Sequence, residues 1–180
     1  FKRKEKTDSL VFVFPVLGGK PIVENYFADY FASNGLDAAI VHRSNEFKDP
    51  ENIDKIETIL KENVIRDRIV LDFFENIVGK KKFGSFGISR GGINVAMTAG
   101  VDSRLKHNVI VMGGTDLVNL FKESTETRIR KYVKTVKENK KITDEEFFNF
   151  LRSQIKTDPK NLASFIDARN TLLILSALDT

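Results

Sequence analysis

The chain has 180 residues, of which 41% are hydrophobic and 30% are charged, a composition typical of one globular domain with a substantial core. It contains no cysteine, which excludes disulfide bonds, a thiolate nucleophile and a cysteine-ligated metal. The net charge of +4 fits a lysine-rich surface and not a nucleic-acid interface, because no basic stretch alternates with aromatic residues, and no apolar run approaches the ~20 residues of a membrane-spanning helix.

The first half of the chain alternates between apolar runs and amphipathic stretches. Residues 10–14 are uniformly apolar, which is typical of a strand buried on both faces. A cluster of helix- and strand-breaking residues at 15–19 precedes an amphipathic helix that ends at Gly35. Residues 36–41 predict a second buried strand, and an apolar stripe from about 53 to 77 predicts a long helix.

The second half repeats this alternation around a charged insertion. Residues 82–86 predict a third strand and residues 109–112 a fourth, with a helix of small residues between them. Residues 117–168 are rich in charge and show only helical spacing, and residues 171–175 predict a fifth strand. Apolar strands that alternate with amphipathic helices predict an α/β fold with a doubly wound, mostly parallel sheet. Such sheets bind their ligands beyond the carboxyl ends of the strands.

A glycine-rich turn between the third strand and the following helix carries the strongest chemical signal. Gly87, Ser89 and Gly91 match the pattern G-x-S-x-G, and Gly92 follows. A strand that turns at once into a helix presents a serine hydroxyl clear of the backbone, but it strains the serine and crowds the neighbouring positions. Those crowded positions are glycines here. Because the pattern alone is common by chance, the prediction of a nucleophile elbow depends on the strand before it and the helix after it.

The order of these parts resembles the α/β-hydrolase superfamily across nearly the whole chain. Residues 15–19 look like the family's first loop, and residues 87–92 look like its nucleophile elbow. Residues 172–179 look like the strand and turn that carry the catalytic acid. The resemblance implies a hydrolase core that comprises residues 1–116 and 169–180.

The resemblance also implies the parts of a serine hydrolase active site. Ser89 would attack the carbonyl of a small-molecule or lipid-like ester, thioester or amide and form an acyl-serine intermediate. The backbone N–H groups of Leu17 and Arg90 would form the oxyanion hole, and Asp179 would orient the catalytic histidine. The charged insertion, residues 117–168, would be a helical cap over the site. The family's reaction requires no cofactor or metal.

Two features depart from the family pattern. The first loop often begins with His-Gly, whereas Pro15 and Val16 occupy those places here. Family order puts the catalytic histidine after the acid, and only Thr180 follows Asp179 in this sequence. We therefore expect the histidine beyond Thr180, and we expect native residues before Phe1, since the chain does not begin with methionine.

Four residues carry alternative interpretations. Asp116 is the rival for the catalytic acid, although its position before a helix favours a capping role. His42 follows a strand at the correct edge of the sheet but precedes the serine, so a loop histidine is the better interpretation, and His107 lies at the wrong end of its strand. Arg90 would either steer an anionic substrate or form a structural salt bridge.

Other kinds of site find no support in the sequence. Two isolated histidines and scattered acids lack metal-ligand spacing, and the glycine-rich turn lacks the lysine of a phosphate-binding loop. The sequence predicts a serine esterase, with a non-catalytic binding or scaffold protein of the same fold as the alternative. Localisation is unknown, with the cytoplasm slightly favoured, because the N-terminus looks incomplete and the absence of a visible targeting segment means little. Oligomeric state and substrate identity stay open.

Overall fold

The computed structural model describes residues 1, 7–18, 20–43 and 46–176. The predicted acid Asp179 and the loop residue Gly19 lie outside the described residues. The described residues form a five-stranded sheet in the order β2-β1-β3-β4-β5, and every pair of neighbouring strands is parallel. The strands are β1 (Ser9–Phe14), β2 (Asp37–Ile40), β3 (Lys82–Ile88), β4 (Leu105–Val111) and β5 (Thr171–Ile174). The predicted α/β fold with a parallel sheet is therefore confirmed.

Helices cover both faces of this sheet because β1 is apolar on both faces. Val11 and Val13 pack with Phe86 and Ala28 on one face, whereas the even-numbered residues of β1 pack with α2 and α3 on the other. The helices are α1 (Ile22–Ser33), α2 (Ile56–Asn76), α3 (Arg90–Ala99), α4 (Leu117–Glu123), α5 (Thr127–Lys140), α6 (Asp144–Gln154) and α7 (Pro159–Leu162). Short 3-10 turns span Glu46–Lys48, Pro50–Lys55, Ala163–Phe165 and Ala168–Asn170.

The largest differences from the predicted element boundaries are at β4 and at the long helix. Strand β4 begins at Leu105, four residues before the predicted start at Val109. The predicted start is too late because the polar residue Asn108 interrupts the apolar run. Its side chain is satisfied in the core, where the hydroxyl of Ser85 on β3 donates to Asn108 Oδ1 at 2.6 Å. The long helix begins at Ile56 and not at residue 53, since a 3-10 turn that starts at Pro50 leads into it.

Residues 117–168 form helices and turns and contribute no strand to the sheet. They form a hydrophobic cluster of their own with the start of α2, in which Val136, Phe147 and Leu151 are almost completely buried. This cluster is separate from the two clusters on the faces of the sheet. That the segment acts as a cap remains a prediction.

The far edge of the sheet is apolar and open to solvent. Leu172, Leu173, Ile174 and Leu175 on and after β5 are between 44% and 63% exposed. In the described part of the chain, no helix combines the length and the apolar character that a membrane span requires.

Candidate functional site

Ser89 occupies the single residue that joins β3 to α3. Its backbone has φ 54° and ψ −121°, a combination that residues other than glycine rarely adopt. The Ser89 N–H donates to Val111 O at 2.8 Å, and the Ser89 carbonyl accepts from the N–H of Ile93 at 3.1 Å. The strain is therefore held in place by hydrogen bonds to β4 and to the first turn of α3, and the serine itself remains exposed.

The glycines around Ser89 leave no room for a Cβ atom. A Cβ at Gly87 would lie 2.3 Å from the carbonyl carbon of Gly91, and one at Gly91 would lie 2.4 Å from the carbonyl oxygen of Phe14. At Gly92 the nearest atom would be the Cα of Gly113, at 3.0 Å. These contacts are with backbone atoms, which cannot rotate away. The turn thus brings β3, α3, the end of β1 and the end of β4 into close approach.

The loop after β1 lies beside this turn. Glu24 on α1 is buried, and its Oε1 accepts a hydrogen bond from the Val16 N–H at 2.8 Å. The next amide, that of Leu17, has no hydrogen-bond acceptor within the described residues, and the Leu17 carbonyl accepts from Arg128 at 3.5 Å. The Arg90 N–H is the first of α3 and so has no intrahelical partner. Both predicted oxyanion amides therefore lie in loops or helix starts where an N–H is available.

A buried ion pair supports the helices behind the site. Arg43 Nη2 lies 2.6 Å from Asp67 Oδ2, and the two side chains are 2% and 1% exposed. Arg43 also donates to the Asn63 carbonyl at 3.0 Å, and the Thr98 hydroxyl donates to Asp67 at 2.6 Å. Burial raises the pKa of the Asp67 carboxyl, and the adjacent Arg43 guanidinium opposes this shift. The network joins the segment after β2 to α2 and α3.

Arg90 lies next to Ser89 and has an unusual environment. Its guanidinium stacks over the ring of Phe47, with 3.9 Å between Cζ and the ring centroid. Burial, and then the nearby charge of Arg43, lower the pKa of Arg90 to about 10, so the side chain is still cationic at neutral pH. Within the described residues Arg90 forms neither an ion pair nor a side-chain hydrogen bond, so the salt bridge considered from the sequence has no partner there.

A cavity of about 640 Å³ opens above Ser89, between α2 and α3 on one side and α4 and α5 on the other. Ser89, Arg90 and the loop residues Leu17 and Gly18 line it together. Most of its wall is apolar and includes Ile59, Leu60, Met97, Leu117, Phe121 and Ile129. Such an apolar cavity with a few convergent polar groups is the usual form of a small-molecule site. A separate, more open depression among α4, α5 and α6 does not include Ser89.

The other predicted site residues lie away from this cavity or outside the described residues. His42 is exposed after β2, His107 is exposed on β4, and neither lines the cavity. Asp116 caps α4, since its carboxylate accepts from the Asn119 N–H, and it forms an ion pair with Lys160 at 2.7 Å. Among the described residues, no group of three or more histidines and acids could hold a metal ion.

Several residues of the site were missed in the sequence. Glu24, the Arg43–Asp67 pair, Phe47 and Asn94 all contact or support the cavity region. Asn63 and Asp67 on α2, and Asn94 and Thr98 on α3, are each four residues apart and interrupt apolar stripes. This spacing puts each pair on one helix face, and it is the signal that could have identified Asp67 and Asn94.

No protein-family model and no curated protein sequence matches this chain. Among solved structures, its fold is similar to that of an acetyl xylan esterase from Paenibacillus sp. R4, with a TM-score of 0.57 and 15% sequence identity. The match covers 98% of this chain and 71% of that chain. At this level of identity the similarity extends to the fold alone.

Proposed function

We propose that this protein is a serine hydrolase that cleaves a carboxylic ester through an acyl-Ser89 intermediate. The observation that carries the proposal is the strained backbone of Ser89, held between β3 and α3 by a cradle of glycines and open to an apolar cavity. Backbone strain of this kind costs ~1–3 kcal/mol and persists where the surrounding structure enforces it, most often at functional sites. The esterase-like fold of the structural neighbour agrees with this reaction class.

In the proposed reaction, the Ser89 hydroxyl attacks the ester carbonyl while a base takes its proton. The negative charge that develops on the carbonyl oxygen accepts hydrogen bonds from the N–H groups of Leu17 and Arg90. The tetrahedral intermediate collapses, and the alcohol leaves with the proton returned by the base. Water then attacks the acyl-serine in the same way and releases the carboxylic acid and the free Ser89 hydroxyl.

The base is the part of this mechanism for which the described residues offer no candidate in the cavity. In our proposal it is a histidine beyond Thr180, oriented by Asp179, as the order of parts in the resembling family implies. In this proposal the described residues contribute the nucleophile, the two amide donors and an apolar cavity that accommodates the substrate.

The test is hydrolysis of p-nitrophenyl acetate by the protein as its natural gene encodes it. We expect turnover that Ser89→Ala reduces by roughly 10³-fold or more, the usual loss for a triad member. Ser103→Ala is the matched control, because Ser103 is exposed in the turn before β4, at the opposite end of the sheet. Turnover that survives Ser89→Ala would remove Ser89 from the mechanism.

The second candidate is a non-catalytic binding protein that uses the same cavity. The observation in its favour is that neither described histidine lines the cavity. This candidate predicts that small apolar ligands bind while ester turnover does not exceed that of Ser89→Ala. In a non-catalytic protein the strained backbone of the serine would have no functional reason. We therefore favour the enzyme over the binding protein.

A further inference from the structure

Among the charged residues that line the cavity, Arg90 has the most unusual environment. Its half-buried guanidinium contacts the Phe47 ring and has no acidic partner among the described residues. A cation that is partly withdrawn from water is less well hydrated, and among the described residues only the ring of Phe47 offers it a compensating contact. Arg90 is therefore available to form an ion pair with a bound anion.

A second polar group without a partner lies on the same face of α3. Asn94 is only 3% exposed and lines the cavity, and its Nδ2 donor has no hydrogen-bond acceptor within the described part of the chain. Asn94 follows Arg90 by four residues, so the two side chains are neighbours on one side of the helix. Buried donors are almost always satisfied in folded proteins. Two adjacent donors that both lack acceptors indicate a ligand that supplies acceptor oxygens.

Most of the other charged residues at the cavity have the same sign as Arg90. Lys48 and Arg128 lie against the loop after β1, since a Cβ at Gly18 would be 3.3 Å from Lys48 Nζ and 3.8 Å from Arg128 Nη1. Lys131 also lines the cavity, and Glu126 is the one acid among the described lining residues. Four cations and one carboxylate give the cavity an excess of positive charge, which attracts and concentrates anions.

We propose that Arg90 and Asn94 bind an anionic group of the substrate, so that the ester cleaved at Ser89 has an apolar body and a negatively charged end. The inference rests on the proposed function for the identity of the reaction, but the anion subsite stands on the contacts of Arg90 and Asn94. The apolar wall would contact the body of such a molecule, and the guanidinium and the amide N–H groups would donate hydrogen bonds to its carboxylate or a similar oxyanion.

The experiment measures binding and needs no turnover. In a Ser89→Ala background, calorimetry compares monomethyl suberate, which is anionic, with dimethyl suberate, which has the same carbon chain and no charge. We expect the anionic ester to bind roughly tenfold or more tightly, the range for a hydrogen bond to a charged group. Arg90→Gln should abolish this preference, Asn94→Leu should reduce it, and Arg90→Lys should retain most of it.

Lys106→Gln is the control for net charge, because Lys106 is an exposed residue near the start of β4, at the opposite end of the sheet. Its variant should leave the preference unchanged. Equal affinity for the two esters overturns the inference, as does a preference that persists in a folded Arg90→Gln variant. An anion preference in a protein that shows no ester turnover would contradict the proposed function and leave the subsite in place.

Discussion

The floor and the roof of the cavity are built by different means. The floor, residues 87–92 with the end of β1, is shaped by backbone atoms that approach within 2.3–2.4 Å of where a Cβ would be. The roof, residues 117–162, is a set of amphipathic helices that share a hydrophobic cluster and carry ion pairs on their surface. The difference indicates that backbone contacts fix the shape of the floor, whereas side-chain packing holds the roof together.

The largest expected effect is on the floor. Gly91→Ala brings a Cβ against the Phe14 carbonyl oxygen, and we expect a loss of roughly 3 kcal/mol in the free energy of unfolding, the upper range for overpacking. Urea denaturation measures this loss. The control is Gly79→Ala, where φ is +82° and nothing lies within 4 Å, so that only the backbone conformation is penalised, by about 1 kcal/mol. Equal losses in the two variants would show that close approach does not shape the floor.

A smaller effect is expected at a buried junction of the roof, where Asp158 links α7 to the start of α4. Asp158 is buried, and its carboxylate accepts hydrogen bonds from the backbone N–H groups of Asp116, Leu117 and Lys160 at 3.1, 2.6 and 2.8 Å. We expect Asp158→Ala to cost about 2 kcal/mol, because two helix starts lose their acceptor. The comparison is Asp144→Ala on α6, which removes only an exposed ion pair with Lys137.

Such exposed pairs contribute about 0–1 kcal/mol, so thermal unfolding should separate the two roof variants clearly. If Asp144→Ala were as damaging as Asp158→Ala, the roof would depend on its surface charges and not on the buried junction.

The smallest expected effect concerns pH and lies outside both regions, at the turn before β4. Hydrogen bonds from Arg104 hold the pKa of Asp102 below its usual value. A carboxyl whose pKa is depressed by folding stabilises the protein above its unfolded pKa, near 4, and this contribution is lost as pH falls through the folded pKa. Asp102→Asn should therefore lower stability by no more than about 1 kcal/mol at pH 7 and by progressively less in acid. A stability difference between Asp102→Asn and the unmodified protein that does not change with pH would contradict this origin.

The comparison also explains which parts of the molecule were predictable from the sequence. The glycines at positions 87, 91 and 92 encode the floor directly, because only a residue without a Cβ fits a backbone contact of 2.3–3.0 Å. Alternating apolar runs encode the parallel sheet in the same direct way. Both are local patterns with one structural solution.

The charged and polar groups of the site were not predictable, because their partners lie far apart in the chain. Arg43 pairs with Asp67, which lies 24 residues further along the chain, and Arg90 contacts Phe47, which lies in the loop between β2 and α2. Whether Arg90 forms a salt bridge depends on which acids the tertiary fold brings near it, and no spacing in the sequence contains that information. The roles of Asp179 and of a histidine beyond it stay predictions.

The most direct test of the central claim is covalent labelling of Ser89. A fluorophosphonate reacts with a serine whose hydroxyl is activated by a base and whose oxyanion is stabilised, so it reports the whole arrangement at once. On the protein as its natural gene encodes it, we predict one adduct, located by peptide mass spectrometry on Ser89, and none on Ser89→Ala or on the urea-unfolded protein. An adduct on another serine, or no adduct on the folded protein, would contradict the assignment of Ser89 as the nucleophile.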